Sequence, residues 1–174
     1  MGDSFITIIA IFLAAILMFV FPLMTMADKN DDVSQLVVET ATTEFVDNVR
    51  STGVLTLDDY DAFVQEIAAT GNAYQIEMEA DLSDTNPNIK TTQVTTTKIG
   101  DTLYYSMYTS QIEDHLKTKD TLTFKEGDIF STSVKNTNIT IGQTLRNFFY
   151  QITGNNTYQV GTQHAGMVTV NGSK

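Results

Sequence analysis

The chain has 174 residues, enough for one modest folded domain beside a membrane segment, and its 21 Asp and Glu against 10 Lys and Arg leave a net charge of −11. That balance excludes a basic stripe able to neutralise a row of phosphates, and the two arginines, Arg50 and Arg146, stand far apart, so no nucleic acid is expected as a partner. Without cysteine there is no disulfide, no thiol catalysis and no thiolate metal site, and packing alone must hold the domain.

From Phe5 to Met26 the chain is apolar or small throughout, carries no charge, and has only Thr7 and Thr25 as polar members. About 20 apolar helical residues cross a hydrocarbon core of roughly 30 Å, so this stretch predicts a transmembrane helix over residues 1–27. A cleaved secretory signal would show a basic start, an apolar core of about 7 to 15 residues and a small-x-small site. No Lys or Arg precedes Lys29 and Met24-Thr25-Met26-Ala27 is a poor site, so a retained anchor is expected. Pro22 removes a backbone donor inside the run, which predicts a kink and not a break.

Beyond the anchor, Val33, Leu36, Val37, Val38, Ala41, Phe45 and Val49 recur at spacings of three and four. They predict an amphipathic continuation of the same helix over residues 28–53, with Gly53 as its C-terminal cap. The remainder, 54–174, is expected to be an extracytoplasmic head. Within it, Leu55–Gly71 reads as a helix with a Thr56–Asp59 capping box, and Tyr74–Leu82 as a half-buried strand whose apolar face is Tyr74, Ile76, Met78, Ala80 and Leu82. Ser83–Asn88 has turn chemistry, Lys90–Ile99 reads as a strand or connector, Thr102–Tyr108 as a strand, and Ser110–Lys117 as a short helix. Thr121–Lys125 and Asp128–Val134 are expected to pair as a hairpin about Glu126-Gly127, with Leu122, Phe124 and Phe130 in one core. Thr140 and Gln143 form a second capping box ahead of a helix with Ile141, Leu145, Phe148, Phe149 and Ile152 on one face and Gly154 at its end. The tail, Thr157–Thr162 with Gly166–Val170, reads as a terminal hairpin.

Candidates for chemistry are few. His115 and His164 are the two histidines, and no serine lies in a G-x-S-x-G turn, so no catalytic residue is expected. Asp84, Asn86 and Asn88 begin a calcium-loop pattern, but Ile89 and Thr95 occupy the positions that need Gly and Glu. Asp58, Asp59 and Asp61 suit a helix N-terminus, and Glu77, Glu79 and Asp81 a solvated strand face. Neither a metal nor another cofactor is therefore expected, nor is a small-molecule substrate evident. Sequons at Asn138, Asn155 and Asn171 are of the kind an Asn- and Thr-rich chain produces by chance.

An apolar N-terminal helix with a proline in its outer half, continuing as an amphipathic helix under an α+β head, resembles type IV pilin-like proteins. More narrowly, the segments FVDNVRSTGVLTLDDYDAFVQEIAATGNAYQIEMEA (Phe45–Ala80) and FKEGDIFSTSVKNTNITIGQTLRNFFY (Phe124–Tyr150) are similar to the TadE-like single-pass membrane proteins of Gram-positive bacteria. The sequence departs from pilins in having no carboxylate within the apolar run. The resemblance implies an α+β, pilin-like fold with a small antiparallel sheet and two further helices. It also implies a structural or assembly subunit of a pilus-like, secretion or conjugation apparatus, held in the cell membrane with its head outside the cytoplasm. Membrane and assembly contacts are expected from Phe5, Ile9, Ala14, Ala15, Phe19, Pro22, Val38 and Phe45, toward lipid, further copies or other subunits of such an apparatus. A membrane-tethered binding module using Tyr104, Tyr105 and Tyr108 is the other reading.

Overall fold

The computed structural model describes residues 2–84, 103–153 and 160–172. The expected strand or connector at Lys90–Ile99, the turn beyond Asp84, the helix stop at Gly154, the sequon at Asn155 and the start of a terminal hairpin at Thr157 lie outside the described residues.

A single helix, α1 (Gly2–Thr52, 51 residues), forms the spine. At 1.5 Å per residue it is roughly 76 Å long. It runs through Pro22 without a break, and the Thr25 hydroxyl donates back to the Phe21 carbonyl at 3.0 Å beside it. It stops where Gly53 turns left-handed (φ 69°) and donates its N–H to the Val49 carbonyl at 2.8 Å. A Cβ on Gly53 would fall 2.5 Å from backbone atoms of Val170 and Gly172, so glycine is needed there both for φ and for the C-terminal segment that crosses the helix end.

The head is α+β. After β1 (Val54–Thr56) comes α2 (Leu57–Ala68), which opens on the expected capping box: Asp59 N–H donates to Thr56 Oγ1 at 3.0 Å, and Thr56 N–H donates to Asp59 Oδ2 at 3.3 Å. Strand β2 (Tyr74–Asp84) alternates as its sequence does, with Met78, Ala80 and Leu82 buried and Gln75, Glu77 and Glu79 exposed. It pairs antiparallel with β3 (Leu103–Tyr108) on one side and β5 (Ile129–Asn136) on the other; β5 pairs with β6 (Gly161–Met167), giving the sheet order β3-β2-β5-β6. Between β3 and β5 lie α3 (Thr109–Lys119) and β4 (Thr121–Thr123), and α4 (Ile141–Thr153) separates β5 from β6.

Several sequence expectations are corrected: among the described residues the head carries three helices, not two, and two antiparallel sheets, not one, and Leu55 and Thr56 belong to β1 ahead of α2. Thr121–Lys125 and Asp128–Val134 do not pair with each other: β4 pairs with β1 in a separate two-stranded sheet, and β5 pairs with β2 and β6. Asp128 explains the divergence. Its buried carboxylate accepts from Lys125 N–H across the Glu126-Gly127 turn, at 2.7 Å, and from the N–H and hydroxyl of Ser83 at the end of β2, also at 2.7 Å. The turn is thus tied to a neighbouring strand, while Leu122, Phe124 and Phe130 still meet in one core as expected. The tail does not fold back on itself either, since β6 runs straight through residues 163–165, where the expected hairpin would turn, and finds its partner in β5.

Helix α1 lies against β5 and β6, and α2 packs beside it. Phe45 of α1 is the pivot, stacked on Phe63 of α2 (centroids 4.4 Å apart) and edge-on to Phe130 of β5 (5.8 Å), which in turn meets Phe124 (5.6 Å). The helix face buried in the head is Asp31, Ser34, Val38, Ala41, Thr42, Phe45, Val46 and Val49. Val33 and Leu36, expected on that face, point to the opposite side and are exposed. Their place is taken by Asp31, Ser34 and Thr42: the head supplies hydrogen bonds to Asp31 and Ser34, and the Thr42 hydroxyl donates to the Val38 carbonyl of its own helix.

Candidate functional site at the bare helix and its junction with the head

One described helix is long and apolar enough to cross a membrane, and its most apolar window, with mean hydropathy 2.9, is not buried at all. The exposed positions lie all round the helix, which is the pattern of a segment solvated by hydrocarbon. A narrower regularity runs through it. Phe5, Phe12, Phe19, Met26 and Val33 repeat every seven residues and are each 60–72% exposed, and Ile8, Ala15, Pro22, Lys29 and Leu36 stand three residues after them, so the repeat is apolar at every one of these positions except Lys29. Such spacing keeps one seam on one side of a helix, with a drift of about 20° per heptad.

Of the residues expected to serve the membrane or assembly, Phe5, Ile9, Ala14, Ala15, Phe19 and Pro22 are exposed on this bare half. Val38 and Phe45 are instead buried in the core that α1 shares with the head. The sequence reading missed Val33 and Leu36 as a second, outward apolar face; the seven-residue spacing from Phe12 onward was the signal that could have found them.

Where the bare half ends, a polar lock joins helix and head. Asp31, 1% exposed, receives Arg146 Nη2 at 2.6 Å and the Thr140 hydroxyl at 2.9 Å, both from the start of α4. Thr140 is also the cap of that helix: Gln143 N–H donates to its oxygen at 3.1 Å, and Thr140 N–H donates to Gln143 Oε1 at 3.1 Å. The Asp31 carboxylate therefore sits at a helix N-terminus, where the backbone dipole favours negative charge. Gly142 makes the approach possible, because a Cβ there would lie 2.6 Å from Asp31 Oδ2. Arg146 Nη1 reaches Asp28 Oδ1 at 3.4 Å, so both acids of the junction face one cation.

Further along, α1 and β6 run side by side in the same direction. Gln35 pairs reciprocally with Gly161, its amide donating to the Gly161 carbonyl and accepting from the Gly161 N–H, both at 3.0 Å. Arg50 Nε donates to the Met167 carbonyl at 3.0 Å, and Thr169 N–H donates to the Arg50 carbonyl at 3.0 Å. The 15 helical steps from Gln35 to Arg50 rise roughly 22 Å, close to the roughly 20 Å of the six strand steps from Gly161 to Met167, so one clamp fits each end of β6. These side chains also occupy backbone groups of an edge strand, which would otherwise invite another chain.

The Arg50 end brings a histidine to a carboxylate: His164 Nε2 lies 3.5 Å from Asp47 Oδ1, which also receives Arg50 Nη1 at 2.6 Å. The hydrogen bond from Arg50, and to a lesser degree the approach of the His164 imidazole, holds the Asp47 carboxyl below its ordinary 3.8. Both hydroxyls beside this cluster are engaged with helix carbonyls, Ser51 with Asn48 and Thr169 with Arg50, each at 3.1 Å. The arrangement is a surface strap between helix and sheet.

Several of the remaining candidates have structural partners. Glu77 faces Lys135 at 3.5 Å and Asp81 accepts the Ser106 hydroxyl, giving these carboxylates partners within the sheet. The Asn138 side chain accepts from Ala73 N–H at 2.7 Å and donates to Asn72 Oδ1 at 3.2 Å, so a glycan on its nitrogen would displace a bond that holds the loop. Tyr104 and Tyr108 lie on the outward face of β3, and Tyr105 on the other; all three are about half exposed. No family model matches the chain, and no curated protein and no solved structure is similar to it.

Proposed function

We propose that the chain is a membrane-anchored, surface-exposed structural or assembly subunit of a pilus-like, secretion or conjugation apparatus, and not an enzyme. The observation that carries this reading is the apolar seam that outlasts the anchor. Lipid accounts for exposed apolar residues up to Met26. Val33 and Leu36 stand roughly 10 and 15 Å farther along the axis, beyond the interfacial layer of about 5–7 Å that borders the hydrocarbon. Both are more than half exposed, and as an apolar pair continuing the line of the anchor they offer a surface that a protein partner would cover.

The partner that fits is a second copy whose α1 lies parallel. The seam then meets itself along the heptad positions, with Ala14 and Ala15 allowing close backbone approach within the bilayer. The opposite face of the same helix is filled by the head, so the seam is the surface left for association. Electron microscopy and size analysis of the full-length protein extracted in mild detergent test the reading: assemblies of defined size or filaments are expected, and a lone monomer under all conditions would contradict it.

The binding-module reading keeps one supporting observation, the exposure of Tyr104, Tyr105 and Tyr108 on strand β3 at the edge of the described sheet. An exposed aromatic edge suits a partner strand or a flat ligand. Replacing Tyr104 and Tyr108 by serine would abolish capture of such a partner while leaving assembly intact.

A further inference from the structure

We infer that the segment Asn138–Gly142, the approach to α4 and its first two residues, is a second membrane contact: Ile139 and Ile141 dip into the interfacial zone of the same bilayer that α1 crosses, and so fix the attitude of the head above it. This rests on the reading of Phe5–Met26 as a membrane span and adds a lipid-facing element from a distant part of the sequence.

Three observations carry it. First, the two isoleucines are among the most exposed large apolar residues of the head, at 71% and 76%. Their exposure is not slack, because Thr140 between them is buried and locked by Asp31 and Gln143. With that cap fixed, the flanking side chains are held outward. Second, the loop is level with the end of the apolar run. A cleft of about 530 Å³ is walled by Leu23, Met26 and Ala27 of α1 on one side and Ile139 and Ile141 on the other. Leu23 to Ala27 is one helical turn, about 6 Å, which matches the depth of the interfacial layer. Third, the other groups lining that cleft include the uncharged amides Asn30, Asn72 and Asn138 and the hydroxyl of Thr70, of which Thr70, Asn72 and Asn138 are already hydrogen-bonded within the head, while the nearby acid Asp31 is closed off by Arg146 and Thr140, so the approach of lipid strands none of these four. Aliphatic tips over neutral hydrogen-bonding groups fit the glycerol and ester region of a lipid, where apolar and polar partners are both within reach.

The chain lacks tryptophan, so single substitutions report cleanly. Full-length I139W and I141W, reconstituted in phosphatidylcholine vesicles, should show blue-shifted emission that is lost when lipids brominated near the top of the acyl chain are used. F12W should be quenched instead by lipids brominated deep in the chain, and V170W, far up the head, should stay red-shifted and unquenched. Quenching of F12W with unquenched, red-shifted I139W and I141W would overturn the loop contact and leave the anchor standing. Blue-shifted but unquenched I139W and I141W would overturn it in favour of a protein contact. Failure of F12W to quench would bring down both the anchor and the loop contact.

Discussion

Two halves of one helix meet opposite surroundings. In the first, residues on every side of α1 are apolar and exposed, and sequence alone dictates the outcome because no charge interrupts it. In the second, apolar residues fall on two faces, and only one is covered by the head: Val38, Phe45 and Val49 are buried while Val33 and Leu36 are not. Hydrophobicity thus says which residues avoid water but not which partner takes them. In α1 the choice is made by polar residues. Asp31, Gln35 and Arg50 match the α4 cap and the two ends of β6, and they fix the rotation of the helix against the sheet.

That contrast is most sharply broken by paired substitutions in the same helix. Phe45→Ala removes the ring stacked on Phe63 and leaves a cavity, and should cost about 3–5 kcal/mol in denaturant unfolding of the full-length protein in detergent. Phe12→Ala, on the bare half, should leave the same transition within about 0.5 kcal/mol. A comparable loss from both would mean the halves are not energetically separate.

The lock comes next in size. Asp31→Ala takes the 2.6 Å partner from Arg146 and the acceptor from the Thr140 hydroxyl in a largely buried site, and breaking such a pair should cost about 3 kcal/mol. Gly142→Ala should destabilise in the same direction by pushing the carboxylate off the helix start, since its Cβ would arrive 2.6 Å from Asp31 Oδ2. If either variant unfolds like the parent, the junction is not what orients the head.

The extremes of pH give smaller, signed effects. Asp47 is more acidic folded than its ordinary 3.8, so the stability it adds is present above that value and lost as pH falls through its lowered folded value; Asp47→Asn should flatten this acid limb. Tyr60 is pushed up to about 12 by burial and then by its 3.0 Å hydrogen bond to Glu113. Its contribution is complete below pH 10 and disappears between 10 and about 12, and Glu113→Gln should move the tyrosinate absorbance step of Tyr60 downward, with Tyr60→Phe identifying that step.

Local chemistry was legible in the sequence wherever it is decided locally. Thr56 with Asp59 and Thr140 with Gln143 cap their helices, Gly53 ends α1, and β2 alternates residue by residue, because each depends on neighbours a few positions away. Pairing between distant segments was not. Nothing around Thr121 announces that its partner is Val54–Thr56, and the Glu126-Gly127 turn resembles a hairpin until Asp128 reaches Ser83. The junction was hidden for a related reason: a buried acid such as Asp31 looks like a surface residue until Arg146, 115 positions away, is known to cover it.

The central claim is that α1 presents one face to its own head and the opposite, heptad-spaced face to another copy. Because the chain has no cysteine, single-cysteine variants V33C and V38C can be oxidised side by side in membranes. The account predicts disulfide-linked dimers from V33C and none from V38C, which is buried in its own subunit; a V33C protein that stays monomeric, or a V38C protein that crosslinks as well, would contradict it.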